Sequence, residues 1–334
     1  MNAAVTKLLD SELATSFSFE RVALHRDGGA PAKLAAAASG MVRVLSEMLF
    51  NRPDGAWIHA TKGASLGRKS VVVLAARALR IPTALHLHSE QALRHLESTG
   101  RAGAAYYRRV LGSAAVVIVL DPDWIPRVRA VGARDAVFVP NGVEVPEQRA
   151  QIAPDNHRIA MVGMLNANKG SYVAVRAVGL ARSRFPDIHL DLVGGGDTAG
   201  VQTLVTEVGI QGNVDVHGWL APEEVDRLLD DSAMVILPSR REGIPMALLE
   251  AMSHGIPVVA TPVGGIPRLL GDGRFGILTP VDDPVALAGA ITGLLTDSEA
   301  ARALGLRGRQ QVADNYSLAV VTRQLREVLE NLVS

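Results

Sequence analysis

Strand-length apolar runs alternate with longer amphipathic stretches along the whole chain. Short apolar runs bounded by Gly, Pro or polar residues predict buried strands, whereas apolar residues recurring every three or four positions predict helices. The predicted strands span residues 17–24, 56–59, 83–88, 115–120 and 137–139, and then 158–163, 188–193, 213–216, 234–237 and 257–260. The clearest helical patterns lie at 31–50, 66–79, 298–315 and 317–333. Two successive series of this kind predict an α/β protein with two doubly wound, Rossmann-like domains.

A segment without any apolar period separates the two series. It runs from residue 140 to 156 and contains Pro140, Gly142, Pro146 and Pro154. Clusters of Pro, Gly and polar residues favour a linker. We therefore expect a first domain at 1–148, a second at 149–315, and a final helix at 316–334 that packs back across the junction. The length of 334 residues agrees with about two domains.

The charge balance excludes one class of function. Basic and acidic residues both number 34, so the protein is not expected to bind nucleic acid through bulk charge. Residues 1–148 hold 18 basic and 13 acidic side chains, a net of +5, whereas 149–334 hold 16 and 21, a net of −5. The stretch between Asp54 and Glu90 contains no acid and includes Arg68, Lys69 and Arg77. It is either a solvated basic helix face or a surface for something anionic, such as a membrane.

The sequence contains neither cysteine nor a recognisable targeting or membrane-spanning segment. There is no Cys, which excludes disulfides, thiolate-bound zinc, iron–sulfur clusters and a thiol nucleophile. Residues 1–15 lack the apolar centre of a signal peptide, and no apolar run reaches the roughly 20 residues of a membrane-spanning helix. These features predict a cytoplasmic protein that is soluble or peripheral to the inner face of the membrane.

The segment 237–267 carries the most specific pattern in the chain. A buried strand ends at Leu237, a loop follows, and a helix starts near Pro245 and stops at Gly255. Backbone N–H groups at such a helix start suit a phosphate. Glu242 and Glu250 can face one ligand there, and carboxylates are good acceptors for sugar hydroxyls.

This segment resembles a known donor-site signature. The spacing Glu242-x7-Glu250, within E-G-x-P and E-A-M-x-x-G-x-P-V-V-A-T-x-V-G-G-I-P, resembles that of retaining glycosyltransferases of family 4, also called glycosyl transferases group 1. The resemblance covers nearly the whole chain and implies the GT-B fold, two Rossmann-like domains facing a central cleft. It also implies a nucleotide diphosphate-sugar donor, most often a UDP-sugar, a glycan or lipid-linked acceptor, and no metal or other cofactor. The donor is expected to lie against Glu242, Gly243, Ile244, Pro245 and Glu250.

A second element resembles the family at the first strand of the second domain. Residues 162–170, V-G-M-L-N-A-N-K-G, are similar to its G-R-L-x-x-x-K-G pattern, which implies that Gly163 lines the donor site and that Lys169 holds the diphosphate. Met164 stands where the family often has Arg, so one of two expected phosphate cations is absent.

Two further strand ends resemble donor-binding elements. Residues 193–197, V-G-G-G-D, are similar to the V-G-x-G loop near the donor phosphates, which implicates Gly194 and Gly196. Residues 216–220, V-H-G-W-L, are similar to the strand end that meets the nucleotide base, which implicates Gly218 and Trp219. Packing explains Trp219 equally well.

The first domain supplies the remaining candidates. The segment 82–90, P-T-A-L-H-L-H-S-E, is similar to the family's H-x-H element, which implies that His88 contacts the transferred sugar; His88, Glu242 and Lys169 then form the catalytic set. His86 is expected in the core or behind His88. The segment 58–70 resembles a V-H-I-H-x-A-S element of a subgroup linked to surface polysaccharide assembly. The acceptor-side candidates are His59, Thr61, Ser65, Lys69, Ser89 and Glu90.

The start of the chain departs from the family pattern. Family members open with a strand and a Gly-Gly loop, whereas residues 1–10 resemble the helix that follows that loop. We therefore expect the first strand of the N-terminal domain to be missing, either because the start is set too late or because the protein is truncated and impaired.

Other functions fit parts of the sequence. A catalytically impaired GT-B binding protein agrees with Met164 and with the short start. A nucleotide-sugar epimerase has the same fold. An NAD-dependent oxidoreductase agrees with Gly194-x-Gly196-x-x-Ala199 and with Asp215, nineteen residues after Gly196, but this fingerprint follows the second strand of its domain rather than the first.

Overall fold

A computed structural model describes residues 6, 8–9, 13–24, 29–61, 63–148, 150, 153 and 155–334. The chain folds into two compact units, one of residues 1–140 with 321–334 and one of residues 141–320. The start of the chain, where a first strand is expected to be missing, lies mostly outside the described residues.

The described sheet of the first unit has four parallel strands, β1 (Ala56–Ala60), β2 (Thr83–Leu87), β3 (Val116–Val119) and β4 (Ala136–Phe138). They neighbour one another in chain order. All of the β2 side chains are buried, as expected of a strand between two others. His59 of β1 pairs directly with His86 of β2, and this register brings the two imidazoles to one face of the sheet.

The helices of this unit precede β1, connect its strands, and include most of the final helix of the chain. Their bounds are Leu13–Ser16, Ala30–Ser46, Gly63–Ala78, Glu90–Ser98, Arg101–Leu111 and Trp124–Val131, and the helix Leu318–Val333 contributes all but its first three residues. The helix Ala30–Ser46 continues into a π-helical turn, Glu47–Asn51. Buried Val, Leu and Ile side chains of β1, β2 and β3 pack against these helices and form one core.

The predicted strand at 17–24 is wrong, because these residues contain no strand and join no described sheet. Phe17 and Phe19 are nevertheless half-buried, and the centroid of the Phe19 ring lies 6.2 Å from that of Trp57. The alternation of apolar and polar residues here identifies side chains that face the core, and the backbone forms no ladder.

The second unit has six parallel strands, β5 (Arg158–Val162), β6 (His189–Val193), β7 (Val214–Gly218), β8 (Met234–Leu237), β9 (Val258–Ala260) and β10 (Ile277–Leu278). Their order across the sheet is β10-β9-β8-β5-β6-β7. The chain runs from β5 outward to β7 and then returns to place β8 on the other side of β5. This is the doubly wound order, with its switch point between β5 and β8. The two-residue edge strand β10 is the only strand of this sheet that the sequence pattern missed.

Helices connect these strands and cover the sheet. Their bounds are Ser171–Ala181, Thr198–Val208, Pro222–Asp230, Met246–Ser253, Ile266–Leu269, Pro284–Thr296 and Ser298–Asn315, with 3-10 turns at Gln211–Asn213 and Gly271–Gly273. Aliphatic residues of β5, β6 and β8 form a second core with the helices Ser171–Ala181 and Pro284–Thr296. None of the described helices of the chain is long and apolar enough to cross a bilayer.

Candidate functional site

The donor-side candidates of the second unit follow consecutive strand ends. Gly163 follows β5, Gly194 follows β6, Trp219 follows β7, and the loop 238–245 follows β8. Because all strands are parallel, these positions lie along one edge of the sheet. Ligands of doubly wound sheets bind at this edge, beside the switch point.

An ion pair spans the switch point. Lys169, seven residues beyond β5, donates from Nζ to Oε1 of Glu242 at 2.6 Å, and Ser239 Oγ donates to the same oxygen at 2.7 Å. The Glu242 side chain is only 8% exposed and that of Lys169 is 26% exposed. A nearly buried carboxylate needs such compensation, because removing a charge from water costs several kcal/mol. No residue that the structure describes donates a hydrogen bond to the second oxygen, Oε2.

Backbone geometry holds this loop in place. Gly264 has φ 57°, and a Cβ at this position would lie 2.0 Å from the carbonyl oxygen of Glu242. Only Gly allows the loop after β9 to approach Glu242 this closely. Gly265 N also donates to Gly243 O at 3.0 Å, and Thr261 Oγ1 donates to Ser239 O. The loops after β8 and β9 thus form one surface around the Glu242 carboxylate.

The loops after β5, β6 and β7 are joined in the same way. Gly194 has φ 139°, and a Cβ there would lie 1.9 Å from Gly163 O. Gly163 N donates to Val193 O at 2.8 Å, and Gly194 N donates to Gly218 O at 2.6 Å. The predicted glycines therefore bring three backbone segments together, and Gly196 adds a bridge to Leu165.

The other donor-side candidates differ in exposure. Trp219 is 70% exposed, and its Nε1 would lie 2.5 Å from a Cβ on Gly195, so the indole rests on the glycine loop and keeps an open face. Ile244 and Pro245 are buried, whereas Glu250 is half-buried in the helix Met246–Ser253. That helix starts without a side-chain cap, which leaves its first backbone N–H groups to other acceptors. Met164, where the family often has Arg, is 41% exposed.

A group of stacked imidazoles marks the first unit. His59 Nδ1 and His88 Nε2 are 2.7 Å apart and share one hydrogen bond, although 29 residues separate them in the chain. The rings of His86 and His88 stack with centroids 4.0 Å apart, and the Trp57 ring lies 4.3 Å from that of His59. His86 is buried, and neither of its ring nitrogens has a hydrogen-bond partner among the described residues.

Burial keeps these imidazoles neutral. It lowers the pKa of His59 to about 2, with a smaller contribution from His88, and it lowers the pKa of His88 to about 3. The same cause lowers the pKa of His86 well below its ordinary value. Burial also lowers the pKa of Lys69 to about 8, assisted by the nearby Arg68 guanidinium. At neutral pH the cluster therefore has no imidazolium and can act only through neutral N–H donors and nitrogen acceptors.

Hydrogen bonds connect most of the acceptor-side candidates to one another. Lys69 Nζ donates to His59 O, and Ser89 Oγ donates to Thr61 O. Ser65 lies one helical turn before Lys69 in the helix Gly63–Ala78. The acceptor-side roles of all these residues remain predictions.

Glu90 is directed elsewhere, because it accepts from Arg94 at 3.0 Å and lies 3.6 Å from Arg127. An arginine-bound carboxylate is less available to an acceptor hydroxyl, so its acceptor-side role has the weakest support among these candidates.

The sequence did not identify Ser239 as a residue of the site, and it predicted His86 only in the core or behind His88. Ser239 was part of the motif, but no pattern indicated that its hydroxyl would reach Glu242 three residues later. His86 was expected in the core or behind His88, and it is indeed buried against that ring. The strand-end position of Ser239, directly after Leu237-Pro238, was the one feature that could have identified it.

Comparisons with known proteins agree with both units. The family described as "Glycosyl transferases group 1" matches residues 156–297, and the "Glycosyl transferase 4-like domain" matches residues 11–142. The chain belongs to the group 1 glycosyltransferases. The predicted resemblance to this family is thereby confirmed, and the roles of Glu242 and Glu250 stay predictions.

The chain matches only part of the length of its curated relatives. It is 29% identical over 238 residues to the amylovoran biosynthesis glycosyltransferase AmsK of Erwinia amylovora. This alignment covers 68% of this chain and 58% of AmsK. It is 31% identical over 174 residues to a D-inositol 3-phosphate glycosyltransferase of Paenarthrobacter aurescens, covering 51% of this chain and 43% of that protein. The chain thus spans less than two thirds of the length of these relatives.

Solved structures share the fold. HepE of Anabaena, in complex with UDP, superposes with a TM-score of 0.74 at 19% identity, covering 92% of this chain and 85% of HepE. Sucrose-phosphate synthase of Thermosynechococcus elongatus gives 0.72 at 23% identity, covering 90% and 78%. The predicted GT-B class, with two parallel α/β domains, is therefore confirmed.

Proposed function

We propose that this chain is a retaining glycosyltransferase that moves a sugar from a nucleotide diphosphate-sugar to a glycan or lipid-linked acceptor. One observation carries the proposal: the nearly buried Glu242 carboxylate is held by Lys169 and Ser239 at the switch point, with Oε2 left for a ligand. A carboxylate with one oxygen anchored and one available is well suited to accept a sugar hydroxyl.

The donor contacts follow from the strand-end loops. Lys169 has three N–H donors, so it can hold a diphosphate oxygen while it keeps Glu242. The uncapped start of the helix Met246–Ser253 adds backbone N–H groups for the same charge. Together they stabilise the negative charge that develops on the leaving diphosphate. Glu250 binds the ribose, and the exposed Trp219 indole lies where a nucleotide base can stack.

A UDP-sugar is the donor that we favour. Structures of HepE contain UDP and UDP-glucose, and HepE shares the fold of this chain. The positive-φ glycines at the ends of β5, β6 and β7 carry no side chain of their own, which allows phosphates and ribose to approach the backbone closely. No step of this mechanism uses a metal ion.

The first unit supplies the sugar-side group. We assign His88 to the transferred sugar and His59 and Ser89 to the acceptor side. Because His88 is neutral, it can donate or accept one hydrogen bond without adding charge next to Lys69. Replacing His88 by Ala is expected to lower turnover more than donor affinity.

Surface polysaccharide assembly is the process that we infer. AmsK is named for amylovoran biosynthesis and is similar to 68% of this chain. The segment 58–70 agrees, because it resembles a subgroup linked to the same kind of process.

A peripheral contact with the inner face of the membrane would bring a lipid-linked acceptor to a cytoplasmic enzyme. The helix Ala30–Ser46 and the turn after it expose Leu34, Val42 and Phe50, the last by 83%. Apolar side chains beside basic residues favour binding to anionic lipid. Co-sedimentation with vesicles containing anionic phospholipid should decrease for the Phe50→Ser variant and also at high salt. Binding that is unchanged in both conditions would contradict the membrane contact.

A nucleotide-sugar screen tests the main proposal. The purified chain is titrated with UDP-, GDP- and ADP-sugars, and binding and donor hydrolysis are measured for the wild type, Lys169→Ala and Glu250→Ala. Each variant removes a charge-assisted hydrogen bond, so donor affinity should fall about 10- to 100-fold. Glu299→Ala, at an exposed position of the same unit, is the matched control and should bind as the wild type does. Unchanged donor binding in both site variants would overturn the site assignment.

The same screen separates the alternatives. Donor binding without transfer to any acceptor supports an impaired GT-B binding protein. A changed sugar without an acceptor indicates an epimerase, and NAD reduction without nucleotide-sugar binding indicates an oxidoreductase. The last is disfavoured by topology, because Gly194 follows β6, whereas a dinucleotide fingerprint follows the first strand of its unit, here β5.

A further inference from the structure

One face of the second sheet carries a group of polar side chains that the proposed mechanism does not use. His189 and Asp191 lie on β6, and Asp215 and His217 lie on β7, at alternate positions that place them on the same face. Asp191 and Asp215 are direct neighbours across the strand pair. The donor-side candidates follow the carboxyl ends of the strands, whereas His189 is the first residue of β6.

The ligand atoms of this group lie within reach of one another. His189 Nε2 is 3.0 Å from Asp215 Oδ2 and 3.9 Å from Asp191 Oδ1. The three atoms lie within 4.8 Å of one another. A tetrahedral zinc ion with bonds of 2.0–2.2 Å separates its ligand atoms by about 3.4 Å. The observed distances bracket this value, so small side-chain rotations suffice to enclose an ion.

Burial and charge favour a cation. Asp191 is fully buried at the centre of β6, which lies between β5 and β7, and an aliphatic residue is expected at such a position. It lines a cavity of about 560 Å³ together with Arg158, His217, Asp230 and Asp231, whereas His189 and Asp215 do not line this cavity. Three carboxylates against one guanidinium leave the cavity walls with a net negative charge, and Asp215 adds another beside it.

We propose that His189 Nε2, Asp191 Oδ1 and Asp215 Oδ2 form a binding site for a divalent transition metal ion, with Zn²⁺ as the best match. Imidazole nitrogen and carboxylate oxygen are the donor set that Zn²⁺ accepts, and one position remains for water. The ion would join β6 to β7 and stabilise the fold from a position that does not involve the sugar donor.

Two neighbours are placed to support the ligands. Arg158 Nη2 donates to both oxygens of Asp191 at 2.7 Å, and His217 Nε2 lies 2.8 Å from Asp191 Oδ1. Such hydrogen bonds orient a metal-bound carboxylate and typically change metal affinity 10- to 100-fold when removed. We therefore assign Arg158 and His217 as positioning residues.

The cluster of His59, His86 and His88 is a weaker candidate for the same ion. Its ligand atoms also lie within 4.8 Å of one another, but it offers no carboxylate, its rings stack on one another, and the nearby Lys69 ammonium disfavours a cation. It serves below as an internal comparison.

Zinc titration of the untagged full chain tests the proposal. After dialysis against a chelator, the protein is titrated with ZnCl₂ by calorimetry, and with CoCl₂ while visible absorption is recorded. The wild type should bind one ion, gain the absorption of tetrahedral cobalt, and show a higher melting temperature. His189→Ala and Asp215→Asn should each weaken binding by at least about a hundredfold, and His217→Ala by about tenfold or more. Asp215 is 57% exposed, so its substitution leaves the core intact.

His157→Ala is the matched control. His157 also pairs with a carboxylate, Asp187, at 2.9 Å in the same unit, but among the described residues no third ligand joins this pair. Its zinc affinity should equal that of the wild type. Failure of the wild type to bind Zn²⁺ at millimolar concentration overturns the proposal, and so does binding that survives His189→Ala but is lost in His59→Ala. Neither result bears on the nucleotide-sugar site, because Lys169 and Glu242 are absent from this cluster.

Discussion

The two units differ in whether their buried ionisable candidate residues keep their charge. In the second unit the Glu242 carboxylate keeps its charge because Lys169 and Ser239 reach it. In the first unit His59, His86 and His88 have no carboxylate partner among the described residues, and burial removes their charge. A buried ionisable group is either paired or neutral. The site in the second unit is therefore built to hold charge, and the cluster in the first unit to remain uncharged.

Removing the pairing cation should have the largest effect. Lys169→Met leaves the Glu242 carboxylate nearly buried and uncompensated, so the free energy of unfolding should fall by about 3 kcal/mol. The double variant Lys169→Met with Glu242→Gln should recover much of this loss, because no buried charge remains. Urea unfolding at neutral pH measures both. A double variant no more stable than the single one would show that Glu242 does not depend on Lys169.

The backbone frame of the charged site gives the next effect. Gly194→Ala places a Cβ 1.9 Å from Gly163 O at a positive φ, so the loops after β5 and β6 must separate. We expect a loss of about 3 kcal/mol, at the upper end for strained backbone positions. Gly289→Ala is the control, since that helical position meets nothing within 4 Å, and it should be neutral or stabilising by up to about 1 kcal/mol. Equal stabilities of the two variants would contradict the close packing of these loops.

The pH dependence of the free energy of unfolding should distinguish the uncharged histidine cluster from the charged site at Glu242. In the unfolded chain His59 and His88 bind protons below about pH 6.5, whereas in the folded chain they do so only near pH 2–3. The unfolded state thus gains protons in this window, and stability falls as pH falls. Each group contributes about 1.4 kcal/mol per pH unit, or about 2 kcal/mol between pH 6.5 and 5. Above pH 7 these groups cause no further change.

Tryptophan fluorescence can assign this pH effect to the first unit. Trp57 and Trp124 lie in that unit, so a Trp219→Phe background reports it alone. His86→Leu removes one buried imidazole whose nitrogens lack partners, and it should reduce the pH dependence without lowering stability at pH 7.5. An unchanged slope in this variant would show that the buried His86 does not contribute.

Trp219 should have the smallest effect on stability and a selective effect on ligand. Because it is 70% exposed, Trp219→Ala should change the free energy of unfolding by less than about 0.5 kcal/mol. If its open face stacks on the base, binding of UDP should weaken while binding of inorganic diphosphate stays the same. Equal losses for both ligands would assign Trp219 to packing of the glycine loop instead.

Much of the charged site was predictable because its parts are local in the chain. Glu242, Gly243 and Glu250 stand in one strand–loop–helix unit, and strand-end glycines mark the neighbouring loops. The uncharged cluster was harder to predict from the sequence, since the hydrogen bond between His59 and His88 depends on the register of β1 against β2. Periodicity also misassigned residues 17–24, where Phe17 and Phe19 are half-buried, the Phe19 ring lies near Trp57, and no strand forms.

The sequence by itself determined the two series of strands and helices and the motifs that identify the family, because each depends on residues close together in the chain. Only the tertiary structure decided which side chains meet. Lys169 and Glu242 are 73 residues apart in the chain, and they meet because β8 returns beside β5. The loss of charge at His59 and His88 arises because two strands and their helices exclude water from the rings. Charge state follows from burial and partners, and both depend on distant parts of the chain.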